Sequence, residues 1–269
     1  ILDPILIFGI NGYLEFGVAG AAIATIIGQM TACLLAIILF RKTSRIKVSL
    51  KNFKPNAQII KNIYSIAIPS GVMTSLPSIL VALLNSLLAT VSQTAIAFFG
   101  IYFKLQSFIY MPANGLIQGM RPLISYNYGA RHFDRVKKII KVSIISTAVI
   151  LCCGTIIFMG LPELVLSWFN ATEQLLEIGI IGLRVISPCF ILSTMGVVIS
   201  GVFESLGKGR QSLTISLLRQ FIITLPLAYI LLKVIGLNGI WLSFVIAEGI
   251  ASVIAVILIK KELHNFKVD

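Results

Sequence analysis

Seven long apolar segments alternate with short polar stretches along the chain. They cover residues 18–40, 63–90, 95–116, 142–160, 175–203, 213–232 and 237–259, and residues 1–8 form a shorter apolar piece before them. A helix needs about 20 apolar residues to cross the hydrocarbon core of a bilayer. Because a membrane supplies no water to satisfy backbone groups, we predict that every segment is α-helical. The pattern therefore predicts an all-α, polytopic membrane helical bundle, with residues 1–8 as the end of an eighth helix.

The composition agrees with this class and excludes an ordinary soluble domain. The chain is 57% hydrophobic and 12% charged, whereas soluble domains are roughly 45–50% apolar and about 25% charged. The net charge of +12 could indicate nucleic acid. Here, however, the basic residues lie in loops between apolar segments, which is the pattern of membrane topology. We therefore expect a lipid bilayer as partner, and no nucleic acid.

The loops alternate in charge. The stretch between the first two segments carries seven Lys and Arg, the next loop has none, and residues 121–141 carry six. In total 18 of the 22 basic residues lie on one side of the predicted membrane. Such an excess marks the cytoplasmic side. We expect a multi-pass protein of a bacterial-type plasma membrane with a cytoplasmic C-terminus.

The two ends of the chain resemble each other at an offset of 219 residues. Gly17-Val-Ala-Gly20 matches Gly236-Leu-Asn-Gly239, a polar residue follows in both (Gln29 and Glu248), and a basic pair closes both. Transporters are often built from such repeats, which predicts about 180 further residues upstream if the halves are equal. The predicted division is the end of a preceding lobe (1–41), a basic cytoplasmic loop (42–62), a six-helix lobe (63–261) and a cytoplasmic tail (262–269).

Residues 119–131 carry a more specific signal, Gly-x-x-Pro-Leu-Ile-x-x-Asn-Tyr-Gly-Ala-Arg. Pro122 is predicted to end or kink the preceding helix, and Gly129 to permit a turn with positive φ. The order resembles the signature of the second helix in the C-terminal half of multidrug and toxic compound extrusion (MATE) transporters. Similar resemblances hold for Ile68-Pro69-Ser70-Gly71 and for the Gly-Val-Phe-Glu-Ser-Leu-Gly-Lys-Gly-Arg run at 201–210, and together they extend over nearly the whole chain.

The resemblance implies two six-helix lobes that export cationic or amphipathic drugs by alternating access, driven by sodium or proton entry. The chain is similar to the C-terminal lobe plus the helix before it, so activity is expected to need the N-terminal lobe. Some family members hold a cation with carboxylates in the seventh and tenth helices. The matching stretches here, 71–85 and 187–200, contain no Asp or Glu. The coupling-ion site is therefore expected in the missing lobe, and no other cofactor is expected.

A polar stripe follows one face of the segment 95–116 at steps of three and four residues, the spacing of one helix face. Such a stripe in a membrane faces either a water-filled cavity or other protein, and both interpretations remain open. The cavity interpretation predicts a substrate pathway that also includes Asn85 and Arg184 from other segments. Its residues on the stripe are Lys104, Ser107, Met111, Asn114 and Gln118.

Arg219 and Glu248 are charged residues inside two neighbouring apolar segments. They could form a structural ion pair between adjacent helices, and a proton relay through Glu248 is the alternative. The sequence shows no nucleophile–base pair, no metal-ligand cluster and no phosphate-binding loop. We therefore predict no catalytic residue, no metal site and no enzymatic activity.

Three alternatives to drug export remain open. A lipid-linked oligosaccharide flippase of the same superfamily shares the lobe design, but its cavity tends to carry many basic residues, and only Lys104, Arg184 and Arg219 qualify here. A membrane enzyme such as a prenyl transferase would need an Asp-rich metal motif, which the sequence lacks. An inactive, truncated transporter fragment is the third.

Overall fold

A computed structural model of the chain describes residues 2–9, 16–43, 55–169 and 171–265. Within these ranges the chain forms helices and turns and no strand. Seven helical spans in the described residues are long and apolar enough to cross a membrane, so the predicted all-α polytopic bundle is confirmed. The helices are α1 (Leu2–Phe8), α2 (Gly17–Thr43), α3 (Ala57–Ala89), α4 (Gln93–Gly129), α5 (Phe133–Gly160), α6 (Pro162–Ser167), α7 (Glu173–Ile186), α8 (Pro188–Ser205), α9 (Gly209–Leu217), the π-helical segment Leu218–Ile222, α10 (Thr224–Ile235) and α11 (Leu237–Asn265).

The chain divides into two compact units, Ile1–Ala57 and Gln58–Asp269. The predicted division at 41, 62 and 261 remains a prediction. It falls partly on residues 1, 10–15, 44–54 and 266–269, which lie outside the described residues.

The two Gly-x-x-Gly motifs have the same structural role, one where α2 follows α1 and the other where α11 follows α10. Gly17 and Gly236 both have positive φ, 53° and 72°, in the turns that open α2 and α11. A Cβ on Gly20 would lie 2.0 Å from the carbonyl oxygen of Leu6, and one on Gly239 would lie 2.3 Å from that of Leu231. Each first glycine therefore makes the turn, and each second glycine lets the new helix pack directly on the backbone of the one before.

Helix α4 continues well beyond the apolar segment that predicted it. Ser92 caps its N-terminus, because the Ser92 side chain accepts a hydrogen bond from the backbone N–H of Ala95 at 3.0 Å. The helix passes through Pro122 to Gly129. The prediction that Pro122 could end the helix is wrong, since a proline inside a bundle loses one backbone bond that neighbouring groups can replace. The positive φ lies at Arg131 (58°), not at Gly129.

Two other apolar segments are interrupted. The segment 175–203 forms α7 and α8, which meet at Ser187 before Pro188. The segment 213–232 forms α9, the π-helical segment and α10. Helix α6 lies between the predicted apolar segments 142–160 and 175–203, where no helix is predicted.

The centre of the larger unit is an aromatic cluster between α4, α8 and α11. Phe98 packs edge-on against Trp241 at 5.1 Å between ring centroids, and Tyr102 stacks on Phe190 at 6.4 Å. These rings are fully buried. A Cβ on Gly182 of α7 would lie 2.4 Å from the Phe98 ring, so this glycine makes the room that the ring fills. The cluster fixes the angular position of α4 in the bundle.

A second group of contacts joins the helices at the end of the bundle that carries the basic loops. Arg121 Nη2 of α4 lies 2.7 Å from Glu204 Oε2 of α8, and Ser212 Oγ of α9 donates to Glu204 Oε1 at 3.1 Å. Lys208 Nζ lies 2.6 Å from both carboxylate oxygens of Glu262 on α11. We call these five residues the basic-end clasp.

Candidate substrate cavity

A cavity of about 410 Å³ lies within the larger unit, and α3, α4, the π-helical segment and α11 supply most of its wall. Its lining combines aromatic rings, uncharged polar groups and one opposite-charge pair. The lining residues are Pro77, Leu80, Val81, Phe99, Tyr102, Phe103, Gln106, Ser107, Tyr110, Met111, Asn114, Val197, Arg219, Gln220, Thr224, Phe244 and Glu248.

Helix α4 supplies the aromatic wall, and contacts behind the wall hold its rings in place. Phe99 lies 6.2 Å from Phe244 between ring centroids, and Tyr102 lies 6.3 Å from the same ring. Tyr110 packs edge-on against Phe190 at 5.7 Å, and its hydroxyl shares a 2.6 Å hydrogen bond with Ser193 Oγ. Aromatic rings that these contacts hold in place therefore line the cavity.

One ion pair forms the charged part of the cavity. Arg219 Nε lies 3.5 Å from Glu248 Oε1, and the side chains are 19% and 14% exposed. This distance is longer than the 2.7–3.2 Å of an N–H···O hydrogen bond. Among the described residues, Arg219 Nε, Glu248 Oε2 and Gln220 Oε1 are buried and have no hydrogen-bond partner. The pair is thus in contact but incompletely bonded.

The π-helical segment positions two of these polar groups. It runs from Leu218 to Ile222, and both Arg219 and Gln220 from its single turn line the cavity. Thr224 Oγ1 donates a hydrogen bond to the Arg219 carbonyl, which anchors the wider turn where α10 begins. Single π-helical turns occur frequently at functional sites.

The structure brings some of the predicted site residues together and leaves others apart. Ser107, Met111 and Asn114 line the cavity with Arg219 and Glu248.

The remaining predicted residues are not in its lining. Lys104 and Gln118 are exposed on α4. Asn85 is half-buried on α3, and its Oδ1 has no hydrogen-bond partner among the described residues. Arg184 lies in a separate depression beside Glu163 and Ser167.

The predicted stripe on α4 is rotated relative to the face that lines the cavity. The observed face adds Phe99, Tyr102, Phe103, Gln106 and Tyr110. Of these, Phe103, Gln106 and Tyr110 each precede a member of the predicted stripe by one residue, which corresponds to about 100° around a helix. The positions of polar residues alone do not predict this face, because half of its residues are aromatic. The run of Phe and Tyr at 98–103, followed by Gln106 and Tyr110 at helical spacing, was the available signal.

Comparisons with known proteins show which family the chain resembles. The MatE family model matches residues 69–230. The chain is 33% identical over 270 residues to the "Multidrug export protein MepA" of Staphylococcus aureus (strain bovine RF122 / ET3-1), and 33% identical over 271 residues to the protein of that name in Staphylococcus haemolyticus (strain JCSC1435). Both matches cover all of this chain and 58% of the relative, so the chain spans little more than half the length of these relatives.

Solved structures show the same fold. An outward-facing multidrug resistance MATE family transporter of the MOP superfamily superposes with a TM-score of 0.89 at 24% identity, over 100% of this chain and 60% of that one. A MOP superfamily transporter from Pyrococcus furiosus, described by the reverse polarity of its binding pocket, superposes with a TM-score of 0.90 at 25% identity, over 99% and 60%. The chain belongs to the MatE family of membrane transporters.

Proposed function

We propose that this chain forms part of a multidrug exporter and that the cavity of the larger unit binds the drug during transport. One observation carries the proposal. A preformed cavity inside a MatE lobe combines aromatic walls with a carboxylate. Relatives at 33% identity are multidrug export proteins.

The chemistry of the lining favours amphipathic organic cations. The volume of about 410 Å³ lies within the roughly 300–1,000 Å³ of small-molecule sites. Aromatic faces such as those of Phe103 and Tyr110 attract cations and planar apolar groups. Glu248 supplies a negative charge in a region that is largely removed from water.

We propose that transport is an antiport driven by sodium or proton entry, with alternating access between this lobe and a second six-helix lobe. The chain would lie in the plasma membrane with the basic loops and the C-terminus on the cytoplasmic side. In this role it moves its substrate without chemical conversion, so it acts as a transporter and not as an enzyme.

Filling the cavity tests the proposal. Ser107 is exposed and lines the cavity, so Ser107→Trp can place an indole there without disturbing the packed core. In a drug-sensitive bacterium that expresses the complete gene product, we expect S107W to abolish dye efflux at unchanged membrane abundance. Phe108→Trp is the matched control, because Phe108 is the next residue, is 71% exposed and is not part of the lining. Equal efflux by S107W and F108W would contradict the proposal.

Export of an anionic, lipid-linked substrate is the second candidate. The guanidinium of Arg219 in the cavity favours it, since phosphate groups bind arginine well. Binding of a fluorescent cation and of a pyrophosphate-bearing lipid to the purified protein distinguishes the two. Drug export predicts that the cation binds in the cavity and that the lipid does not compete with it.

A further inference from the structure

We propose that Arg219 competes with the substrate for Glu248. In the resting cavity its guanidinium occupies the carboxylate, and a substrate with a cationic N–H group displaces it. This inference rests on the proposed function of the cavity. It assigns a binding group, Glu248, a built-in competitor, Arg219, and a substrate class, namely amphipathic amidinium, guanidinium and protonated amine cations.

The bonding of the pair is the first argument. Arginine–carboxylate pairs that hold a structure together have N···O distances of about 2.7–2.9 Å and are often bidentate. Arg121 and Glu204 meet this standard at 2.7 Å in the same protein. Arg219 and Glu248 are 3.5 Å apart, although both are more deeply buried than Arg121. The cavity pair is therefore held in proximity without the bonds that would fix it.

The unused polar atoms are the second argument. Buried polar groups are nearly always hydrogen-bonded, and each exception needs an explanation. In the described part of the chain, Glu248 Oε2 is a buried acceptor with no partner. An amidinium presents two parallel N–H donors that match both oxygens of a carboxylate. A substrate of this kind would give Glu248 the bonds that Arg219 does not give it.

The displaced guanidinium also needs an acceptor, and the cavity contains an unused one. Gln220 follows Arg219 on the π-helical turn, lines the same cavity, and has a buried Oε1 with no partner among the described residues. The proposal therefore assigns the Glu248 carboxylate to the guanidinium in the resting state and the Gln220 amide oxygen to it when the substrate is bound. Such a two-position side chain lets one carboxylate serve alternately as structural partner and as ligand.

The charge of the lining sets the expected selectivity. Arg219 and Glu248 are the two charged residues among those that line the cavity, so their formal charges cancel. A cation without N–H groups, such as a quaternary phosphonium, cannot donate hydrogen bonds to the Glu248 carboxylate. It should therefore compete poorly, whereas an amidinium of similar size should compete well.

A double-mutant cycle tests the competition directly. The measurement is the Kd of the fluorescent bis-amidinium dye DAPI for the purified complete gene product, from fluorescence anisotropy. Arg219→Met removes the competitor and should tighten binding roughly tenfold, while Glu248→Gln should weaken it by a similar factor. In the Glu248→Gln background, Arg219→Met should change the Kd less than twofold, since no carboxylate remains to compete for.

The control for the lost positive charge is Lys233→Met. Lys233 lies on α10 outside the cavity, with its ammonium 4.4 Å from the centre of the Tyr229 ring. K233M should leave the Kd unchanged. Weaker binding by R219M, or the same change from R219M with and without the Glu248 charge, would overturn the proposal.

A second measurement remains decisive if either single variant fails to fold, since each leaves one buried charge unpaired. The wild type should bind DAPI in preference to tetraphenylphosphonium, and the neutral double variant R219M/E248Q should lose that preference. An unchanged preference would refute the role of the pair. The S107W variant distinguishes a failure of the proposed competition from a failure of the proposed function. If it blocks DAPI binding while the cycle shows no coupling, the cavity is the binding site and the competition is wrong. If it leaves binding intact, the proposed function itself fails.

Discussion

Basic and acidic side chains meet between helices in two regions of the described chain, the basic-end clasp and the cavity, and the two regions are built differently. In the basic-end clasp, Glu204 and Glu262 each receive short contacts of 2.6–2.7 Å, and Glu204 also accepts a hydrogen bond from Ser212. In the cavity, Arg219 and Glu248 are 3.5 Å apart, and Glu248 Oε2 has no hydrogen-bond partner within the described ranges. Both carboxylate oxygens of Glu204 and of Glu262 have partners, although the clasp also contains one buried atom without a partner, Arg121 Nε. The clasp pairs join helices, whereas the cavity pair leaves Glu248 Oε2 able to accept a hydrogen bond from a ligand.

Tightly and loosely bonded ion pairs differ in what they contribute to the stability of a membrane protein. Removing one partner of a tightly bonded buried pair leaves a charge that nothing else compensates, so the loss of stability is large. A loosely bonded pair stabilises the fold little, because its gain scarcely exceeds the cost of burying two charges. Loose pairs can therefore be rearranged by a ligand at small cost, while tight pairs resist rearrangement.

The largest expected effect is at the clasp. Glu204→Ala removes the partner of both Arg121 and Ser212 and should lower the free energy of unfolding by about 3 kcal/mol. The measurement is denaturant unfolding of the purified protein in detergent. Asp134→Asn is the control, since Asp134 is fully exposed and its carboxylate makes a loose 3.5 Å contact with Lys137 Nζ. This variant should show no measurable change in the free energy of unfolding. Equal losses from the two variants would remove the structural role of the clasp.

A smaller effect is expected at the second pair of the clasp. Lys208→Met removes two 2.6 Å contacts with Glu262 and should cost roughly 1–3 kcal/mol. The loss should be smaller than for Glu204→Ala, because Lys208→Met breaks the contacts of one pair, whereas Glu204→Ala removes the partner of both Arg121 and Ser212. The reversed pair, Lys208→Glu with Glu262→Lys, should recover part of the loss. No recovery would show that the positions matter for reasons other than their charges.

The smallest effect on stability is expected at the cavity. The neutral double variant Arg219→Met/Glu248→Gln should unfold within about 1 kcal/mol of the wild type. The same unfolding assay compares it with the neutral clasp double variant Arg121→Met/Glu204→Gln, which should lose more unfolding free energy. If the cavity variant loses as much unfolding free energy as the clasp variant, the Arg219–Glu248 pair is structural, and the two regions do not differ in the way described.

The membrane spans could be predicted from the sequence because long apolar runs are local signals. The glycine motifs at Gly17 and Gly236 were also visible, and both glycines do adopt the positive φ of a turn. Local signals did not predict the features that depend on tertiary packing. Nothing near Pro122 shows that α4 continues past it, and no local pattern pairs Arg121 with Glu204, which is 83 positions away.

The candidate cavity was predicted in part for the same reason. Ser107, Met111 and Asn114 have the helical spacing of one face, and the structure places them in the lining. Lys104 shares that spacing but lies outside the cavity, because the buried rings of Phe98 and Tyr102 set the rotation of α4. Which face of a helix lines a cavity depends on its neighbours, and one sequence does not contain that information.

Photoaffinity labelling tests the central claim, that this cavity binds the transported drug, most directly. The complete gene product in membranes would be exposed to an amphipathic amidinium that carries a diazirine, and mass spectrometry would locate the attached label. The account predicts labels that an excess of unlabelled drug prevents, on residues such as Phe103, Ser107 and Gln220 that line the cavity. Competition-sensitive labels found only on residues outside the lining, such as Lys104 and Phe108, would contradict it.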